Sequence, residues 1–360
     1  MTSVGARLLV TGAGTAAASN LIRALRAGDR SLVIVGCHSD RFVLAKSTAD
    51  PNYLTPAPTD RGFLRALGRV IRRARVDLLI PTTDTEVSVL ARLGAGIPCR
   101  TFLPRRRVVE LCQDKYRVNR RLRERGVPAP ATYPVTSLRT LARVFRRLPA
   151  RSLVWCRIRA GSGSMGAAPV RTLAQARSWI EYWRDMRGVP PTAFTLSEYL
   201  PGRDFSCQAL WKDGALILVK TCERLSYFGG GGHPSGTSSV SHLAKTVFEP
   251  RVVEACTRAI RAIDPRASGT FNFDLRENAD GVPCITEINA GRFPSGNLIY
   301  DLTGRHNLAA TFVRLALGQP VELREEYEAA EGWYSVRDLD TPTGIFRDEE
   351  LFDRIEDARG

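Results

Sequence analysis

The sequence has little lysine, little histidine and no long apolar run. Only five of its 52 basic residues are lysines, and it contains four histidines. No apolar segment approaches the roughly 18 residues that a membrane-spanning helix needs. The first residues show no apolar stretch followed by a cleavage site. These absences disfavour a membrane protein and a secreted protein, so we expect a cytoplasmic location.

The cysteine spacing also disfavours a structural zinc site. All eight are scattered, and none forms the Cys-x-x-Cys spacing that is typical of structural zinc sites. Cys37, Cys99 and Cys284 lie in apolar, strand-like surroundings. We therefore expect buried, reduced thiols and no zinc site.

The net charge of +15 is carried almost wholly by arginine. A basic balance of this size can indicate nucleic-acid binding. The arginines are, however, spread over apparent helix faces, and no recognised nucleic-acid motif accompanies them. We expect a solvated surface that attracts anionic small molecules and disfavour a nucleic-acid partner.

The first hundred residues predict a parallel sheet. A chain of 360 residues with 44% hydrophobic content is long enough for two or three domains. Strands alternating with helices indicate a parallel sheet with helices on both faces. The predicted strands are Arg7–Val10, Ser31–Gly36 and Val76–Ile80, and the predicted helices are Ala16–Ala27 and Phe63–Arg75.

Two features of this region suggest ligands. The turn at residues 12–17 fits a loose form of the dinucleotide fingerprint. The second strand, however, ends at Gly36-Cys37-His38, and Asp40 comes late for an acid that would bind a ribose. Asp84 and Glu86 follow the strand that ends at Ile80 and could contact substrate or cap the next helix. We favour capping for at least one of them.

A β-hairpin late in the chain carries the strongest candidate site. An alternating strand over residues 270–275, a turn at Asp280-Gly281 and a second strand predict this hairpin. Glu287 and Asn289 are two residues apart and share a face, and Asp274 can lie across from them. Two carboxylates and an amide oxygen suit Mg²⁺. An ordinary hairpin with a polar face is the alternative.

The same residues resemble a known family. Phe-Asn-Phe-Asp at 271–274 and Thr-Glu-Ile-Asn at 286–289 resemble the metal-binding end of the ATP-grasp superfamily, in the branch of carbamoyl-phosphate synthetase large subunits and related carboxylate–amine ligases. The resemblance implies that Asp274, Glu287 and Asn289 hold one or two Mg²⁺ ions, with Mn²⁺ as an alternative, against the phosphates of ATP. The family usually continues as Asn-Pro-Arg, whereas here Arg292 follows one residue later.

Further segments resemble the family's nucleotide site. Lys115 matches the lysine that meets the phosphates, and Arg157 stands before a glycine-rich loop at residues 159–166 that resembles the family's mobile flap. The resemblance implies that an adenine-binding hinge follows residue 195 and that a residue soon after it binds the ribose. The implied loop contacts are Ser162, Gly163, Ser164 and Gly166, the implied hinge residues are Glu198, Tyr199 and Leu200, and the implied ribose ligand is Asp204.

The implied catalytic residues are Arg224, Arg292 and His233, of which Arg224 and His233 would face phosphate or the activated carboxyl group. His233 follows four consecutive glycines, which suggests a loop that moves or closely approaches a ligand. Its imidazole could transfer a proton or donate to phosphate. A merely exposed loop histidine is an equal alternative.

The resemblance implies an α/β fold that becomes α+β in its C-terminal part. A Rossmann-like N-terminal (pre-ATP-grasp) domain at 1–104 would precede a two-lobed ATP-grasp fold. The small lobe, with the glycine-rich flap, would span 105–192, and the large lobe, with the metal site, 193–330. Residues 331–360 would form a C-terminal tail packed on the fold.

The implied activity is that of an ADP-forming carboxylate–amine ligase. Mg–ATP would convert a small-molecule carboxylate into an acyl phosphate, from which an amine would displace phosphate. Phosphorylation of carbamate or bicarbonate and a non-catalytic ATP-binding regulator remain alternatives, and an NAD(P)-dependent reductase is less favoured. A homo-oligomer is compatible with the sequence.

Overall fold

The computed structural model describes residues 5–148, 153–161, 163–229, 238–328, 330–338 and 354–359. These residues form three β-sheets with helices packed on them. Within the described ranges, no helix is long and apolar enough to cross a membrane. All eight cysteines are free thiols, and burial raises the pKa of the Cys112 thiol to about 12, which keeps it protonated.

The first sheet is parallel, as the alternating pattern predicts, with strand order β3-β2-β1-β4. Leu8 and Val10 pack towards α1, whereas Leu9 packs towards α3, so helices cover both faces. The elements are β1 (Arg7–Thr11), α1 (Ala16–Gly28), β2 (Val33–His38), α2 (Arg41–Ala45), β3 (Asn52–Leu54), α3 (Phe63–Ala74), β4 (Leu78–Ile80) and α4 (Asp84–Leu93), then a 3-10 turn at Gly94–Gly96.

The glycine turn between β1 and α1 is closed by the protein itself. A Cβ built on Gly14 would lie 1.9 Å from the Val43 carbonyl oxygen of α2, and one on Gly12 would lie 2.4 Å from Thr82 Oγ1. The Asp40 carboxylate caps α2 by accepting two backbone hydrogen bonds at 2.8 and 3.1 Å. Close packing therefore explains these glycines, and the geometry gives no support to a dinucleotide site.

The middle of the chain forms a four-stranded antiparallel sheet with the order β5-β8-β6-β7. Side chains of α7 and α8 pack with this sheet in a separate core. The elements are α5 (Arg106–Cys112), α6 (Lys115–Glu124), β5 (Thr132–Pro134), α7 (Leu141–Arg146), β6 (Val154–Ile158), β7 (Ala168–Val170), α8 (Leu173–Arg187) and β8 (Phe194–Glu198), with 3-10 turns at Leu138–Thr140 and Pro191–Ala193.

The third sheet runs β13-β12-β9-β10-β11-β15, with β14 beside β10. The last strand, β16, instead pairs in parallel with β3 and extends the first sheet. The elements are β9 (Asp204–Lys212), β10 (Ala215–Tyr227), β11 (Ser241–Thr246), α9 (Pro250–Ile263), β12 (Gly269–Glu277), β13 (Pro283–Ala290), α10 (Leu298–Asp301), α11 (Leu308–Leu317), β14 (Glu326–Tyr327), β15 (Tyr334–Val336) and β16 (Ile355–Asp357).

One face of the third sheet is apolar, and part of the opposite face is polar and positions the candidate site. Phe205 on β9 and Phe271 and Phe273 on β12 belong to a core that α5, α6 and α9 cover. The alternate residues of the same strands, such as Asp204 and Asp274, point to the opposite face. That polar face lines the main cleft.

A buried acid lies where α10 meets α11. The Asp301 carboxylate accepts hydrogen bonds from the Ala309 backbone N–H and from Asn297 Nδ2, both at 2.7 Å. Burial raises the pKa of Asp301 to about 6, although these bonds and the nearby Lys220 ammonium oppose the rise. The Lys220 ammonium is itself buried and pairs with Glu328 at 2.8 Å.

We predict that the contribution of Asp301 to the free energy of unfolding falls as pH rises from about 4 to about 6. Between these values the folded carboxyl keeps its proton whereas the unfolded carboxyl loses it, so the folded state binds more protons. The advantage of the native protein over Asp301→Asn should shrink by up to about 3 kcal/mol across this range and stay constant above it. Urea unfolding of both proteins at several pH values measures the difference, and a difference independent of pH would contradict the prediction.

Candidate functional site

The late hairpin forms as predicted, and a β-bulge places the Glu287 side chain on the face that lines the cleft. Asp274 lies directly across from Glu287, and the next pair is Leu275 with Ile285, so Thr286 is the extra residue. Without the bulge, Ile285 and Glu287 would share a face. With it, Ile285 is buried in the core while Glu287 lines the cleft.

Three cations from three different elements surround these two carboxylates. Arg224 on β10 donates to Asp274 Oδ1 in a short ion pair. Lys115, the first residue of α6, places Nζ 3.3 Å from Glu287 Oε1, and Arg157 on β6 places Nη1 3.7 Å from Glu287 Oε2. Two acids that would repel each other across a strand pair are thus compensated.

The backbone also fixes two of these cations. The extra residue of the bulge, Thr286, offers its carbonyl oxygen to Arg157 Nη2 at 2.7 Å. Lys115 Nζ donates to the Gly161 carbonyl oxygen of the glycine-rich loop at 2.5 Å. The Lys115 and Arg157 side chains are only 8% and 10% exposed. Burial lowers the pKa of Arg157, and the Glu287 and Asp274 carboxylates oppose that shift.

Asp204 adds a further carboxylate beside the Arg224–Asp274 pair. Asp204 Oδ2 accepts a 2.7 Å hydrogen bond from the Tyr227 hydroxyl, and Asp204 Oδ1 lies 3.4 Å from Arg224 Nη1. Burial raises the pKa of Asp204, although the Arg224 guanidinium opposes the rise. For Arg224 itself, burial lowers the pKa, but the Asp274, Tyr227 and Asp204 side chains together raise it well above its ordinary value. Arg224 is therefore held between two carboxylates.

The segment after β8 forms a different wall of the cleft. Glu198 Oε2 accepts a 3.2 Å hydrogen bond from the Ala131 N–H, and its backbone N–H donates to the Ala131 carbonyl oxygen at 2.8 Å. The Tyr199 and Trp155 rings lie 6.4 Å apart between centroids. Leu200 lines the cleft beside them. This wall combines apolar ring surface with polar backbone, which suits a flat heterocycle.

The far end of the cleft joins the first sheet to the hairpin. Arg292 donates to Asp84 through Nε at 2.5 Å and through Nη2 at 3.1 Å, and Nη2 also lies 2.6 Å from Asn289 Oδ1. Asp84 is the first residue of α4, whose capping box is completed by Glu86 and Thr83. The expectation that one of the two acids caps this helix is confirmed for Glu86, and Asp84 is free to hold the arginine.

The structure brings most of the predicted site residues into one cleft of about 610 Å³. Gly166 does not line it, because that glycine packs against Ile158 and Phe194. Ser162 and His233 lie outside the described residues. The predicted residues that line the cleft are Lys115, Arg157, Gly163, Ser164, Glu198, Tyr199, Leu200, Asp204, Arg224, Asp274, Glu287, Asn289 and Arg292.

Sequence reasoning missed several cleft residues, among them Arg276, Trp155 and Tyr227. Arg276 is two positions beyond Asp274 on β12, so the alternation that identified Asp274 could have found it. Trp155 is two positions before Arg157 on β6, so the same alternation could have found it. Tyr227 carried no such signal, because its contact with Asp204 depends on the pairing of β9 with β10.

The donor set of the hairpin fits a magnesium ion. Asp274 and Glu287 supply carboxylate oxygens and Asn289 an amide oxygen, all at the cleft surface. In the described part of the chain, no group of three or more His, Cys, Asp or Glu side chains is arranged to hold a metal. An ion here would therefore take two carboxylates from the protein and rely on other oxygens for its remaining ligands, as Mg²⁺ commonly does.

Comparisons with known proteins agree with this geometry. Residues 191–341 match a family model described as "ATP-grasp in the biosynthetic pathway with Ter operon". A search of curated proteins gave no match. The L-amino acid ligase of Bacillus licheniformis superposes with a TM-score of 0.66 at 13% identity, over 88% of this chain and 75% of the ligase.

This protein has the ATP-grasp fold. The biotin carboxylase domain of Hydrogenobacter thermophilus 2-oxoglutarate carboxylase, solved with MgADP and bicarbonate, gives a TM-score of 0.70 at 15% identity, over 91% of this chain and 73% of that one. The carboxyaminoimidazole ribonucleotide synthase of Aspergillus clavatus, solved with ATP, gives 0.66 at 14% identity, over 89% and 79%. The predicted fold is thereby confirmed, whereas the branch of the superfamily, the domain bounds and the role of each residue stay predictions.

We predict that Arg292→Met lowers the free energy of unfolding by about 2 kcal/mol, because it leaves the Asp84 carboxylate without its bidentate partner at a half-buried position. Arg73→Met is the matched control. Its pair with Glu356 has side chains that are 70% and 47% exposed, so we expect a loss below about 1 kcal/mol. Urea unfolding measures both, and equal losses would contradict a stabilising role of the Arg292–Asp84 pair.

Proposed function

We propose that the protein is an ATP-dependent, ADP-forming ligase that joins a carboxylate to an amine. The observation that carries the proposal is the pairing of Asp274 with Glu287 on one face of the sheet, with Lys115, Arg157 and Arg224 around them. Acids and cations alternating in one cleft suit a phosphate chain and its metal ion. The match of residues 191–341 to an ATP-grasp family supports the same reading.

In this proposal Asp274, Glu287 and Asn289 would hold Mg²⁺, and the ion would supply neutralisation of phosphate charge. Manganese is an alternative ion with the same preference for oxygen. Lys115, Arg157 and Arg224 compensate the carboxylates in this structure. When nucleotide binds, each would exchange its contact with a carboxylate for a contact with a phosphate oxygen. Their positive charge would then stabilise the phosphoryl group during its transfer.

The rest of the nucleotide would lie along the wall after β8. The Tyr199–Leu200 backbone and Glu198 would contact the adenine, and the Trp155 ring would cover one side of it. Asp204 would accept hydrogen bonds from the ribose hydroxyls, with Tyr227 fixing the orientation of its carboxylate. The glycine-rich loop, already tied to Lys115 through the Gly161 carbonyl, would cover the phosphates and exclude water.

The far end of the cleft would hold the acceptor substrates. Arg292 can bind a carboxylate in a bidentate manner, and Asp84 can accept hydrogen bonds from an amine. A carboxylate oxygen would attack the γ-phosphorus while the bond to ADP breaks. The amine would then attack the acyl carbon, lose a proton and release phosphate.

We predict that Asp274→Asn lowers the rate of ADP formation by at least about a hundredfold, because it removes an anionic ligand of the metal and unbalances Arg224. An ADP-release screen across amino acids, other small acids and bicarbonate first identifies a substrate pair. The variant is then compared with the native protein on that pair.

Asp280→Asn is the matched control for this comparison, since Asp280 is exposed at the turn of the same hairpin and does not line the cleft. It should retain the native rate. An Asp274→Asn protein that releases ADP at the native rate would overturn the assignment of the metal site. If the protein binds ATP but no pair of acid and amine leads to ADP formation, a non-catalytic regulator would be favoured.

We also predict that Mg²⁺ and ADP stabilise the protein together by more than the sum of their separate effects. The carboxylates are paired with cations, so the ion alone competes poorly for them, whereas phosphates can take over the cations. Thermal unfolding with MgCl₂, with ADP and with both measures the effect. Strictly additive shifts would show that the two ligands do not share these residues.

A further inference from the structure

A second concave site lies in the middle part of the chain, between α6, β5 and α7. It encloses about 560 Å³, within the range of small-molecule sites, and shares no lining residue with the main cleft. Its walls carry Arg120 and Arg123 from α6, Arg143 from α7 and Arg147 just after α7. Among the lining residues the one carboxylate is that of Glu124.

The positive charge of this groove is largely uncompensated. Arg120 Nε lies 3.4 Å from Glu124 Oε1, and both side chains are more than half exposed. Within the described residues, no carboxylate lies within ion-pair distance of Arg123, Arg143 or Arg147. Four guanidinium groups against one carboxylate leave the groove with three excess positive charges.

Neighbouring groups hold several of these guanidinium groups in place. The Arg120 guanidinium lies 5.6 Å from the centroid of the Tyr116 ring, and that of Arg147 lies 5.7 Å from the Tyr133 ring. Arg123 Nη1 donates to the Ala129 carbonyl oxygen at 3.1 Å. Side chains that are already positioned lose less freedom when a ligand binds.

We propose that this groove binds a small polyanion that carries two or more phosphate or carboxylate groups. The planar guanidinium group donates parallel hydrogen bonds to either kind of oxygen. A monoanion would leave most of the excess charge unpaired, whereas a ligand with several anionic groups satisfies Arg143 and Arg147 on one wall and Arg120 and Arg123 on the other. The groove is distinct from the nucleotide cleft and does not depend on the proposed ligase activity.

Calorimetric titration of the full chain with inorganic pyrophosphate tests the proposal. Because the main cleft also attracts phosphate, the comparison of variants decides the location. The Arg143→Glu/Arg147→Glu protein should bind at least about tenfold more weakly than the native protein, since two attractive contacts become repulsive. Arg139→Glu/Arg146→Glu is the charge-matched control, because both arginines are exposed nearby and neither lines the groove.

Pyrophosphate binding that the double variant loses and the control retains supports the proposal. No binding to the native protein, equal affinity in the double variant, or an equal loss in the control would each overturn it. Thermal unfolding checks that the variants fold, and Arg143→Gln/Arg147→Gln offers a milder pair with the same expected direction. A parallel titration with citrate distinguishes the ligands: binding with the same dependence on Arg143 and Arg147 extends the site to carboxylates, and its absence assigns the site to phosphates.

Discussion

The site depends on two carboxylates that face each other across a pair of strands. Asp274 and Glu287 occupy directly opposite positions of β12 and β13, where like charges destabilise a sheet. Lys115, Arg157 and Arg224 compensate them, and these cations come from α6, β6 and β10. The attraction of these three cations to one acid pair thus holds a helix, a small sheet and a large sheet at a common point.

The same compensation gives the cleft its chemical capacity. Each acid has a cationic partner in the protein, and Mg–nucleotide offers the complementary set, with phosphates for the cations and a metal ion for the acids. Exchange between the two sets conserves the balance of charge in a partly buried place, where an unpaired charge would be costly. At the far end of the cleft, the Arg292–Asp84 pair likewise combines a cation and an acid that compensate each other.

Local patterns predicted the parts of the fold that depend on neighbouring residues. The helix predicted at Ala16–Ala27 spans Ala16–Gly28, and the strands of the first sheet agree to within a few residues. The bulge at Thr286 was not predicted, although Ile285 and Ile288 are both buried at a spacing of three, which a regular strand does not allow. That spacing was a readable signal.

Other features arise only when distant segments meet. Strand β16 returns to the first sheet beside β3, and no local pattern specifies that pairing. The contact of Tyr227 with Asp204 likewise depends on the register of β9 and β10. In the candidate site, the sequence predicted the hairpin acids and the cationic side chains, because each lies in a distinctive sequence motif. It could not predict which acid each cation contacts.

The most direct test of the central claim is electron paramagnetic resonance of Mn²⁺ bound to the protein together with ADP. We expect one tightly bound ion whose spectrum shows coupling to phosphorus nuclei, and we expect the loss of that ion when Asp274 and Glu287 are both replaced by their amides. A bound ion without phosphorus coupling, or one that survives the double replacement, would contradict the account.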